Sequence, residues 1–222
     1  MRKHFFRRKE EKMKISTKTI VTVGMFTAVL AVLSILQIPM PTGVPITLQT
    51  FAMALCGYVL GWQSGVAATL LYIVLGTVGV PIFAGMSAGP GVLFGYTGGF
   101  IFGFIFLTLL CGISVRRKNP AVKIILGVIG LLICHLLGAV QYAVLAHITI
   151  GASLVAVSLP YIVKDVISVV GAYLAQEFEK RGFRNTNLHD TIYVVTPEYN
   201  ANNQLIFRDN TIPAIKGKNV IL

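Results

Sequence analysis

Long apolar runs separated by short polar or Gly/Pro-rich breaks set the architecture of this chain. The run over residues 17–36 predicts a first helix, closed by Pro39, Pro41 and Pro45, whose rings cannot continue one. Residues 47–60 predict a short second helix. Gly61-Trp62-Gln63-Ser64-Gly65 then reads as a tight turn into a third over 66–78. Residues 80–91 are rich in Gly and Pro without a helical period and read as a long loop. Further helices are predicted over 97–115, 123–147 and 152–180. The first apolar run is about long enough for a roughly 30 Å hydrocarbon core, and no small-residue cleavage site follows it. It therefore reads as a retained helix rather than a removed leader. The expected fold is an all-α membrane protein, a bundle of six transmembrane helices. A basic N-terminal segment (1–16) precedes the bundle (17–182). A polar tail (183–222) follows, expected to be mostly disordered, with Ile192-Tyr193-Val194-Val195 as a short strand.

Composition sharpens this picture. Of 222 residues, 55% are hydrophobic and only 12% charged, against about 25% charged in soluble domains. Residues 19–115 contain no Asp, Glu, Lys or Arg, and residues 124–176 contain only Lys164 and Asp165. A water-soluble fold could not cover its surface this way; lipid as solvent removes the need. Behind the net charge of +11, the basic residues cluster in three places, at residues 2–18, 116–123 and 180–184, each flanking an apolar run. Six spans put all three on one side, the cytoplasm by the positive-inside rule, with both termini there. That distribution, with no aromatic-interleaved basic face, excludes nucleic acid and makes the bilayer the partner. The expected location is the cell membrane, multi-pass.

Lys164 and Asp165 are the strongest chemical signal. A charge at mid-bilayer costs about 2.5–3.5 kcal/mol on insertion scales, so a chain that keeps one generally uses it. Chain neighbours on a helix point about 100° apart, so the two side chains need not touch. Asp165 can accept from ligand N–H donors, and Lys164 can meet a ligand oxygen. Gln49, Gln141 and Tyr142 are weaker polar candidates. His135 and His147 read as isolated, and Cys56, Cys111 and Cys134 as small apolar helix residues, so no metal site is expected. No P-loop, nucleophile elbow or HExxH is present, so no catalytic residue is assigned and the chain is not expected to be an enzyme. On the first helix Gly24 and Ala28, and Thr27 and Ala31, stand four apart, a spacing that lets helix backbones approach closely.

Several stretches together resemble the BioY family. They are Met40-Pro41-Thr42-Gly43-Val44-Pro45-Ile46-Thr47-Leu48-Gln49-Thr50, then Tyr72-Ile73-Val74-Leu75-Gly76, then Gly79-Val80-Pro81-Ile82-Phe83-Ala84-Gly85. Gly91, Gly95-Tyr96-Thr97-Gly98-Gly99-Phe100 and Pro160-Tyr161-Ile162-Val163-Lys164-Asp165 follow in the same order. The resemblance covers residues 14–182. It implies a biotin-binding S component of an energy-coupling-factor transporter, working with a transmembrane coupling subunit and two ATPase subunits, and with biotin as substrate rather than cofactor. It implies Asp165, Lys164 and Gln49 as polar ligand contacts and Phe83, Tyr96 and Tyr142 as apolar ones. Gly85 and Gly91 would let loop backbone close over the ligand, and Gly24, Ala28 and Ala31 would face the coupling subunit. Many members carry a lysine three residues after the aspartate. Here that position is Ser168, and Lys164, four residues earlier and nearly on the same helix face, is the expected substitute. A stand-alone secondary transporter of biotin or a similar small vitamin, with Asp165 as the site for proton coupling, is the alternative reading; an intramembrane enzyme is a weaker one.

Overall fold

The computed structural model describes residues 16–185, 191–199 and 205–213. The expected basic segment 1–16 lies, apart from Ser16, outside the described residues. The first helix, α1 (Thr17–Ile35), ends before the proline-rich stretch, as its sequence requires. That stretch becomes the loop of a small strand pair, β1 (Gln37–Ile38) against β2 (Ile46–Thr47). Its turn is closed by Gly43 N–H donating to the Met40 carbonyl at 3.0 Å, with Pro41 at the second turn position.

Helix α2 (Gln49–Val78) is thirty residues long but is not one rod. At Gly61 the backbone leaves helical geometry (φ 74°, ψ 178°), a region essentially reserved for glycine. Contacts on either side of it show the chain doubling back. The Cys56 thiol meets the Gly65 carbonyl at 3.7 Å, Thr69 Oγ1 meets Met53 Sδ at 3.7 Å, and Gln49 Nε2 donates to Tyr72 Oη at 2.9 Å. The element is thus a hairpin of two antiparallel arms, residues 49–60 and 62–78, which are the predicted second and third helices.

The stretch predicted as loop contains a 3-10 turn (Ala84–Met86) and a one-turn helix, α3 (Pro90–Leu93), started by its proline. Then α4 (Gly98–Ser114) and α5 (Pro120–Ala146) pack against each other. A Cβ on Gly103 would stand 2.6 Å from the Cys134 Cα, and one on Gly57 would stand 2.7 Å from the Cys111 Cβ. Only glycine lets α4 approach both neighbours this closely. Helix α5 starts three residues earlier than predicted, because Asn119 caps it, accepting from Ala121 N at 2.9 Å with Pro120 in the first turn.

The predicted sixth helix is a broken pair. Helix α6 (Ile150–Val157) meets α7 (Leu159–Asn185) at a bend of 56°. The bend lies at Ser158, just before Pro160, whose ring cannot extend α6 but fits the first turn of α7.

Six arms result: α1, the two of α2, α4, α5 and the bent α6–α7 pair. Their outer surfaces are apolar. Val32 is 62% exposed and Ile167 66% exposed, while Thr69 and Thr108 are buried and donate inward, Thr69 Oγ1 to Thr108 Oγ1 and Thr108 Oγ1 to the Met53 carbonyl. Apolar outside and hydrogen-bonded polar groups inside is the arrangement of a protein solvated by lipid. The arm 49–60 is about 18 Å long at 1.5 Å per residue, short of the hydrocarbon thickness. Its N-terminal residues Gln49 and Thr50 border open room within the bundle.

The described residues from 177 onward form a separate compact unit. There the chain pairs β3 (Thr191–Tyr199) antiparallel with β4 (Leu205–Pro213), from Thr191 opposite Pro213 to Tyr199 opposite Leu205. The sequence pattern predicted only a four-residue strand in a mostly disordered tail. The second strand was missed because Arg208, Asp209 and Asn210 interrupt its apolar alternation.

Candidate functional site

The room at the start of the short arm is a cavity of about 260 Å³. Its polar side comes from Thr47, Gln49 and Thr50 at the start of α2, from His135 on α5, and from Lys164 and Asp165 on α7. Its apolar side includes Phe83, then Phe100 and Phe104 of α4, and Leu131 of α5. Pockets for small ligands generally have this form, mostly apolar with a few converging polar groups. The cavity lies at the end of the bundle opposite Arg116, Arg117 and Lys118. At that far end the Lys123 ammonium sits over the Tyr173 ring at 5.6 Å, and Tyr58 Oη donates to the Lys123 carbonyl at 3.1 Å. The cavity therefore sits on the side away from this basic cluster, as the positive-inside reading requires.

Asp165 is the centre of the polar side. It is 5% exposed. Lys164 Nζ lies 2.5 Å from Oδ1, and His135 Nε2 lies 3.3 Å from Oδ2, with Thr50 beside the carboxylate. The Lys164 ammonium also donates to the Thr47 carbonyl at 3.0 Å. The neighbouring side chains, which need not meet on a helix, do touch, because the flexible lysine stem curls back across the 100° that separates them. One expectation is corrected here: His135 is not isolated, and it faces the one acidic residue of the described bundle interior.

Gln49 and Phe83 also line the cavity. The Gln49 amide is already engaged, donating to Tyr72 Oη and accepting from Thr47 Oγ1 at 3.3 Å. The ring of Phe83 is buried edge-on against Tyr72 at 5.4 Å between centroids and lies across Gly76.

The remaining candidates lie off the cavity wall. Tyr96 and Tyr142 pair with each other at 5.1 Å, and Tyr96 is 44% exposed. The pair ties the stretch before α4 to α5, and its chain neighbours Gly95 and Thr97 do reach the wall. Gln141 supports the same stretch, donating from Nε2 to the Leu93 and Gly95 carbonyls at 2.8 and 2.7 Å. Gly85 adopts φ 62° and is covered by the Gln37 side chain, which itself lines the cavity, so its part is to seat Gln37. Gly91 faces open space. On α1, Gly24 and Ala28 are exposed with nothing against Gly24, whereas Ala31 packs partly on the core. Thr27 points inward and donates to the Ala68 carbonyl at 3.3 Å, so the two small-residue pairs serve different faces.

Sequence reasoning missed His135, Thr50, Tyr161, Phe100 and Phe104. For His135 a signal existed, since a lone intramembrane carboxylate calls for a partner and His135 is one of two histidines in the apolar stretch that holds it. Tyr161 carries none: it closes the first loop, donating from Oη to the Val44 carbonyl at 2.6 Å with Thr42 Oγ1 at 3.2 Å, a contact between segments far apart in the chain.

The BioY family model matches residues 8–184, four fifths of the chain. The chain belongs to the BioY family. Among its relatives are the biotin transporter BioY of Thermotoga maritima, 35% identical over 165 residues, covering 73% of this chain and 96% of that one. The probable biotin transporter BioY of Pyrococcus horikoshii is 34% identical over 164 residues, covering 73% and 96%. The solved S-component for biotin from an ECF-type ABC transporter superposes with a TM-score of 0.67 at 24% identity, covering 74% of this chain and 91% of that one. It therefore shares the BioY fold described above. Among the described residues, all of the cavity wall falls inside the matched segment.

Proposed function

We propose that this BioY protein is a biotin-binding membrane subunit that mediates biotin uptake, energised by separate coupling and ATPase subunits. One observation carries the reading: a buried carboxylate, Asp165, held beside a lysine in the wall of an otherwise largely apolar cavity. Biotin has the complementary chemistry. Its cyclic urea offers two N–H donors and one acceptor oxygen, suited to Asp165 and Lys164. Its thiophane ring and aliphatic chain suit Phe83, Phe100 and Phe104. The relatives' names, which specify biotin, support the same substrate. The exposed small-residue face of α1, at Gly24 and Ala28, is the proposed docking surface for the coupling subunit.

Equilibrium titration of the purified chain with biotin tests the site: saturable binding is expected, and its absence sinks the proposal. Uptake in cells with and without coupling and ATPase subunits tests the energetics. Accumulation against a gradient without them would favour a stand-alone transporter.

A further inference from the structure

The Asp165 carboxylate has a nitrogen within ion-pair distance of each oxygen, although Oδ1 makes no well-aligned hydrogen bond, and only one of the two neighbours comes from its own helix. Lys164 takes Oδ1, and His135, on α5, takes Oδ2. We propose that His135 is a positioning residue of the ligand site, fixing the plane of the Asp165 carboxylate so that it accepts from a ligand N–H. This rests on the biotin reading of the cavity.

The two holds differ in stiffness. Lys164 is a four-carbon arm whose side chain is 32% exposed, and it also serves the Thr47 carbonyl. It fixes a charge, not a plane. His135 is a rigid ring, 4% exposed, set perpendicular to Phe100 at 5.8 Å between centroids. With Asp165 a carboxylate, Nε2 is the donor, and its direction is set by the ring. Ser168 cannot replace it, because its Oγ is turned back to the Lys164 carbonyl at 2.9 Å.

The other ring nitrogen is informative. His135 Nδ1 is buried and has no hydrogen-bond partner among the described residues. A histidine kept for fold stability would satisfy both nitrogens, since a buried unpaired polar atom is costly. Here one nitrogen is left unpaired and the other is directed at the acidic residue of the cavity. The imidazole's polarity thus serves Asp165.

The test uses the full chain in detergent, titrated with biotin and with its N,N′-dimethyl urea, in wild type, His135→Leu and His135→Gln. Leucine keeps bulk and removes the donor; glutamine keeps an amide donor where Nε2 stands. His135→Leu is expected to weaken biotin on the order of tenfold, and His135→Gln to stay within about threefold of wild type. The leucine penalty should largely vanish for the dimethyl urea, which has no N–H to present. Wild-type affinity in His135→Leu overturns the proposal. So does a glutamine variant as weak as leucine, or an equal penalty for both ligands. The last ratio holds even if part of a variant preparation is misfolded. If wild type itself does not bind biotin, the biotin reading falls and takes this inference with it. Wild-type binding with an indifferent leucine variant removes His135 alone.

Discussion

Lys164 reaches two places at once: its Nζ is 2.5 Å from Asp165 Oδ1 and 3.0 Å from the Thr47 carbonyl oxygen. One ammonium therefore joins α7 to β2, the strand that leads into the short arm. Residues 164 and 168 are four apart, close to one helical turn, so a lysine at either can approach the same region. Lys164→Met should weaken biotin binding on the order of ten- to a hundredfold, the range for losing hydrogen bonds to charged groups. Adding Ser168→Lys to that variant should restore part of the loss. Titration of both variants checks this; a double variant no better than the single would show that the lysine's position is not interchangeable.

Asp165→Asn probes the charge rather than the shape. It leaves the Lys164 ammonium, about a third exposed and still bonded to the Thr47 carbonyl, next to a neutral amide, so the loss should fall below the figure of about 3–5 kcal/mol for a fully buried pair broken from one side. We expect a lower thermal midpoint and biotin binding lost by a hundredfold or more. Lys164→Met together with Asp165→Asn removes both charges, so stability should recover while binding does not. Paired thermal and binding measurements separate the two effects. Recovery of both would mean that the carboxylate has no role in the ligand site.

The readable and unreadable parts of this protein divide along a physical line. The arms, the reversal at Gly61 and the singular Asp165 were legible because each is a local property: an apolar run, a glycine between helical patterns, a charge where charges are absent. The bend at Ser158 was half legible, since Pro160 marks it but its 56° depends on packing. The second hold on Asp165 was not read, because whether His135 on α5 faces α7 depends on the register of two helices. The same holds for Tyr96 and Tyr142. As aromatics near a ligand loop they suited the cavity; register instead pairs them with each other behind its wall.

Gly76 guards the apolar wall. A Cβ there would fall inside the Phe83 ring, which packs edge-on against Tyr72 and lines the cavity. Gly76→Ala should therefore weaken biotin binding at least tenfold, with overpacking costing about 1–3 kcal/mol of stability. Adding Phe83→Leu should relieve the strain and raise the thermal midpoint. Failure of that rescue would place the strain elsewhere.

On α1 the outward and inward residues predict opposite outcomes. Gly24 and Ala28 are exposed, so Gly24→Leu and Ala28→Leu should not lower the thermal midpoint and should leave biotin binding near wild type while abolishing co-purification with a coupling subunit. Thr27→Val removes the hydroxyl that meets the Ala68 carbonyl and should lower stability by about 1 kcal/mol with assembly retained. If the leucine variants also lost biotin binding, the face would belong to the fold rather than to a partner.

Gly61 isolates backbone strain from crowding. A Cβ at this position would meet nothing within 4 Å, so space does not require glycine. The dihedral angles do: at φ 74° and ψ 178° an L-residue with a Cβ is strained by about 1–3 kcal/mol. Gly61→Ala should lower stability by that amount, and it should do so by opening the hairpin. The contacts nearest the reversal, Cys56 with Gly65, would loosen before Gln49 with Tyr72 at the far end. Gly24→Ala is the matched control, because Gly24 also has open space but sits in regular helix, where alanine is favoured by about 1 kcal/mol. Thermal midpoints of the two variants in one detergent should move in opposite directions. Movement in the same direction would mean that the reversal at Gly61 is not the strained glycine turn described here.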